Sequence, residues 1–144
     1  MDYSFNPPTG FELGHRREFY EPLVENFYFT DAPWGSSFTG FTVVDDEQHN
    51  VNAGFTDGKA TAVHFIGNPG DTFMGIPLDL PPAHIYQELI RDNPAWTIRT
   101  NDDDETFIRL NAQPDGIDVE LVSDEHGIAA VCWIMANKSQ KSEA

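Results

Sequence analysis

Apolar positions along the chain recur with two different periods, and the change of period marks the elements. Residues 19, 20, 23, 24 and 27 are all large and apolar, a spacing that predicts an amphipathic helix over 15–27. Pro22 lies inside that pattern, so the helix is expected to kink or to divide into a turn and a short helix. Ile85, Tyr86, Leu89 and Ile90 predict a second, regular helix. It is led in by Asp79, Pro81 and Pro82 and stopped by Asn93-Pro94. Between and after the helices the pattern becomes strand-like, at 38–44, 51–55, 60–66, 96–99, 106–110, 117–122 and 128–135. Asp57-Gly58 is a two-residue hairpin signal, and 31–37 reads as a loop.

The pattern occurs twice. Ala62-Val63-His64-Phe65-Ile66 matches Ala130-Val131-Cys132-Trp133-Ile134, 68 residues later. The two helical stripes are 66 residues apart, and Gly10-Phe11-Glu12-Leu13 precedes Gly75-Ile76-Pro77-Leu78 by 65. The offsets drift in one direction, as small loop insertions would produce. A period of this length exceeds that of solenoid units. The expected fold class is therefore α+β: two tandem repeats, each a helix packed on an antiparallel sheet, forming one domain. Residues 1–137 are expected to be that single domain, with repeat 1 over about 9–67, repeat 2 over about 71–136, and 138–144 a flexible tail. The last strand is apolar on both sides, with Val131, Trp133 and Met135 one way and Ala130, Cys132 and Ile134 the other, so both of its faces should be covered. Most of Phe19, Tyr20, Phe27, Phe41, Phe55, Phe65 and Trp133 are expected in the core.

Charge changes the picture more than composition does. The 144 residues carry 24 acids against 8 bases, a net charge of −16. The acidity divides evenly, −7 over residues 1–70 and −9 over 71–144, so it belongs to the whole surface. Such a field repels nucleic acid and anionic membranes, and it attracts basic proteins. Solubility and a halophilic source are the competing explanations. The single cysteine, Cys132, allows no intrachain disulfide and lies in an apolar strand. The N-terminal residues lack the basic and apolar regions of a signal peptide, and no apolar run reaches membrane-spanning length. The expected compartment is cytoplasmic.

Candidate chemistry is sparse. His15, His49, His64, His84 and His126 share no metal-ligand spacing, and no Cys-x-x-Cys occurs. Asp102-Asp103-Asp104-Glu105 lacks the alternation and the glycine of a calcium loop. It reads either as a solvated turn or as a docking patch for lysine and arginine, and Asp45-Asp46-Glu47 has the same two readings. Trp34 and Trp96 lie in or beside proline-flanked loops, where tryptophan either anchors the loop or serves as an interface hot spot. No phosphate loop, nucleophile with its base, or basic stripe is present. No catalytic residue, metal or cofactor is expected.

Gly75-Ile76-Pro77-Leu78, the stripe from Ile85 to Ile90, Gly116-Ile117-Asp118-Val119-Glu120-Leu121, a glycine-containing hairpin and Ile128-Ala129-Ala130-Val131 together resemble one unit of the β-lactamase-inhibitor-protein type. Similar units occur in cytoplasmic immunity proteins that neutralise bacterial toxins. The resemblance is a pattern over nearly the whole chain, seen twice, and transfers no functional residue. It implies a non-enzymatic, protein-binding inhibitor, an immunity protein facing a basic toxin such as a nuclease. Such a protein would be a monomer rather than a dimer, with no nucleic acid or membrane as partner. The expected contact residues are Asp102, Asp103, Asp104, Glu105 and Trp96, with Asp45, Asp46, Glu47 and Trp34. The alternatives are an acidic secretion chaperone for an effector, which is usually dimeric and unduplicated, and a small-ligand-binding domain.

Overall fold

The computed structural model describes residues 1–33, 35–92, 97–100, 107–112, 117–124 and 127–135. The chain begins with β1 (Asp2–Tyr3), then α1 (Arg17–Tyr20), which passes directly into a 3₁₀ turn over Glu21–Leu23. Four strands follow: β2 (Glu25–Ala32), β3 (Gly35–Val44), β4 (Glu47–Thr56) and β5 (Lys59–Ile66). Two short strands, β6 (Thr72–Phe73) and β7 (Ile76–Pro77), precede α2 (Pro82–Asp92). Four more strands complete the order: β8 (Thr97–Thr100), β9 (Phe107–Ala112), β10 (Ile117–Asp124) and β11 (Gly127–Met135).

These strands form a small sheet, β1-β6-β7, and an eight-stranded sheet ordered β2-β3-β4-β5-β11-β10-β9-β8. The protein is mostly β. The expected α+β architecture, with a helix packed on a sheet in each of two repeats, is therefore incorrect. The physical reason lies at Pro22. The spacing of 19, 20, 23, 24 and 27 suits a helix, but proline closes α1 after one turn, and Val24 is already extended. From residue 25 the alternation of Phe27 and Phe29 with Tyr28 and Thr30 has period two, and it forms β2. Tyr20 and Val24 are consequently buried, whereas Phe19 is 42% and Phe27 38% exposed, contrary to expectation. In α2, which has no internal interruption, Ile85 and Leu89 share one buried edge.

The large sheet consists of two four-stranded meanders joined at β5 and β11. Ala62 faces Ile134, His64 faces Cys132 and Ile66 faces Ala130. The two matching five-residue segments thus lie antiparallel about a local two-fold axis between His64 and Cys132. Two hairpins close tightly. Asp45 and Asp46, and Asp57 and Gly58, have positive φ at both central positions, as the twist-matched two-residue turn requires.

One face of the large sheet forms the core. Phe38, Ala53, Val63, Trp133 and Val119 stand in one cross-strand row, and Val51, Phe65, Val131 and Leu121 in the next. Phe11, Tyr20, Tyr3, Phe73, Ile85 and Leu89 cover them. Phe11 meets Phe65 edge-on with ring centroids 5.1 Å apart, and the Trp133 indole donates to the Ser4 carbonyl at 3.0 Å. Each large side chain wholly buried here contributes about 1.5–3 kcal/mol relative to exposure.

β2 bulges between Glu25 and Tyr28 opposite Gly40, with Asn26 at φ 50°. A Cβ on Gly40 would lie 2.8 Å from Phe27 Cβ and 3.0 Å from the Glu25 carbonyl, whereas one on Gly54 would touch nothing within 4 Å. Gly40→Ala should therefore cost about 1–3 kcal/mol. Gly54→Ala should be neutral or gain about 0.5–1 kcal/mol, since it restricts the unfolded chain. Thermal melts of the two variants check both expectations; equal effects would remove the close backbone approach as the reason for glycine at position 40.

Candidate functional site

The core contacts of the N-terminal segment, the small sheet and α2 fall on one face of the large sheet. Its other face carries the alternate residues of every strand. One cross-strand row starts at Tyr28 on the β2 edge and passes through Thr39, Asn52, His64 and Cys132 to Glu120. In register it continues to Arg109 and Arg99. The neighbouring row contains Thr30, Ser37, Gly54, Ala62, Ile134 and Asp118. Asn52 Nδ2 donates to Thr39 Oγ1 at 2.8 Å, so adjacent members of the first row touch. Tyr28 is 62% exposed. Phe41, expected in the core, lies on this face and is half-buried.

His64 and Cys132, the pair on the two-fold axis, sit at the centre of this face. Burial pushes the His64 imidazole below its usual range, and Glu120, on the far side of Cys132, partly opposes that shift. Cys132 is buried, although it is small and lies outside the apolar core cluster. Asp118 is 9% exposed, and its Oδ1 has no hydrogen-bond partner. At the β2–β3 end of the same face is a hollow of about 370 Å³, floored by Gly35 and Gly54 and lined by hydroxyls of Thr30, Ser37, Thr56 and Thr61. Sequence reading missed this face. Only the two-sided apolar pattern of the last strand hinted at it.

Of the sequence-predicted contact residues, Trp34, Trp96, Asp102, Asp103, Asp104 and Glu105 lie outside the described residues. Asp45 and Asp46 are exposed in their turn. Glu47 is instead engaged, with Oε2 3.6 Å from the Met1 ammonium and 3.7 Å from His49 Nε2.

That contact belongs to a buried polar network joining the small sheet to β4. The Met1 ammonium donates to Asp71 Oδ1 at 2.9 Å, and the Tyr3 hydroxyl donates to Asp71 Oδ2 at 3.0 Å. The Asn68 backbone N–H also donates to Asp71 Oδ2, at 2.8 Å. His49 Nδ1 lies 3.4 Å from the Tyr3 hydroxyl and 3.3 Å from Asn68 Nδ2. By residue type, Asp, Tyr and His are a catalytic set. By position, Asp71, Tyr3 and His49 are all buried. Their role is to clamp β1 and β6 onto the large sheet. The described residues contain no group of three His, Cys, Asp or Glu side chains able to hold a metal, and no helix long and apolar enough to cross a membrane.

Burial, and then the charge of Asp71, holds the Tyr3 phenol far above its ordinary pKa of 10.0. A phenol raised in the folded state contributes its full stabilisation below pH 10 and loses it progressively as pH rises above that value. Thermal melts across alkaline pH should show this decline. Tyr3→Phe should flatten it and cost about 1–3 kcal/mol near neutrality, because His49 and Asp71 lose the hydroxyl. A decline unchanged in the variant would assign it to other groups. Comparison with protein families, curated proteins and solved structures finds no match to this chain.

Proposed function

We propose that the protein is a non-enzymatic binding protein that inhibits a basic protein partner, as an immunity protein neutralises a basic toxin domain such as a nuclease. The observation carrying this reading is the large sheet itself. Its core lies on one face, while the other presents polar and aromatic side chains in cross-strand register from Tyr28 to Glu120. The net charge of −16 gives that surface a field that speeds encounter with a cationic partner. Asp45 and Asp46 contribute to it from an exposed turn. A binding role also fits the chemistry, since the best-formed constellation of titratable groups, around Asp71, is sealed from solvent.

The test is to capture the partner from the native host and assay its activity against increasing amounts of this protein. One-to-one loss of activity supports inhibition; capture without loss of activity refutes it. Asp45→Asn/Asp46→Gly provides the electrostatic check. Asn-Gly suits a turn with both φ values positive, so the melt should be unchanged or higher. Association with the basic partner should slow, more at low salt than at high salt, while dissociation stays nearly constant. Neutralising Asp102, Asp103, Asp104 and Glu105 together should act in the same direction. Unchanged association rates in both variants would exclude both acidic runs from the encounter.

A further inference from the structure

We propose that Asp118, with Glu120 beside it, is a socket for a lysine ammonium or arginine guanidinium presented by the protein partner. The proposal rests on the binding reading above and names the contact at its centre. Asp118 and Glu120 alternate with core residues Val119 and Leu121 along β10, which places both on the face opposite the core. Asp118 is 9% exposed, and its Oδ1 makes no hydrogen bond. A carboxylate oxygen withdrawn from water without a donor is costly, and native structures rarely leave one so. The side chain faces Ile134 across β11, which offers no donor. In β9, Arg109 stands opposite Glu120 and Asn111 opposite Asp118. His64 lies two strands away across Cys132, and burial lowers its pKa.

An incoming cation would supply what the carboxylate lacks. A charge-assisted hydrogen bond to a desolvated oxygen is shorter and roughly twice as strong as a neutral one. The Cβ–Cγ torsion is soft, so a small rotation presents Oδ1 to a ligand on the open face.

The experiment is a titration of the full chain, ¹³C-labelled at aspartate and glutamate, with N-acetyl-arginine amide and separately with N-acetyl-lysine amide, monitored at the carboxyl resonances. A saturable shift at Asp118 and Glu120, larger than at the exposed Asp45 and Asp46, is the expected result with at least one probe. Asp118→Asn should remove the saturable shift at Glu120. It should also raise the melting temperature of the free protein, because it removes a buried charge whose Oδ1 has no hydrogen-bond donor. A uniform, unsaturating shift at all carboxyls with both probes would overturn the socket. So would a saturable Glu120 shift that survives in Asp118→Asn. Should that variant fold poorly, the wild-type titration alone decides. With the captured partner, Asp118→Asn should weaken binding by about tenfold to a hundredfold. Undiminished binding in the variant would refute the socket and leave the inhibitor reading intact. Failure to capture any partner would count against that reading, whatever the probes show.

Discussion

Antiparallel pairing of β5 with β11 is the constraint on which the rest of the structure depends. Each meander alone is a four-stranded sheet with two unpaired edges, and pairing β5 with β11 satisfies one edge of each. The register about His64 and Cys132 leaves no freedom. A slip of one residue would send Phe65 and Trp133 to the open face and His64 and Cys132 into the core. Because the two segments share a sequence pattern, a single register places both sets of large side chains on the same side. The core is therefore continuous across the joint, with Val63 beside Trp133 and Phe65 beside Val131.

The remaining elements are arranged to cover that core. A small sheet, a one-turn helix and an eleven-residue helix do what two regular helices do in a helix-on-sheet unit. The small sheet consists of two-residue strands, too short to hold themselves in place. The Asp71 network provides the attachment, taking donors from Met1, Tyr3 and Asn68. Satisfying a buried carboxylate so fully fixes its surroundings in one arrangement. Asp118, also buried, differs: its Oδ1 has no hydrogen-bond partner, and it lies on the opposite face of the sheet.

Most strands were legible because alternation, hairpin residues and apolar runs are local signals. The Asp57-Gly58 turn, the strand ending at Ile66 and the helix carrying Ile85 and Leu89 all formed where the pattern placed them. β2 was not legible, because the helical spacing at 19–27 overlaps a period-two run that begins at 25. Pro22 was the arbiter between the two. It did more than kink a helix: it ended one and freed the following residues to pair with β3.

By itself the sequence determined the acidic character, the absence of a disulfide, the matching central segments and the positions of most turns, since each depends on residue identity or short-range spacing. Tertiary structure decided how much of the chain became sheet, which face of that sheet was buried, and that the two matching segments lie side by side. Those outcomes depend on pairing and packing between residues dozens of positions apart, as where Phe65, Trp133 and Tyr3 meet one another. The lone buried oxygen of Asp118 belongs to the same category. Nothing in Ile117-Asp118-Val119 distinguishes that aspartate from its neighbours until the strands on either side have closed around it.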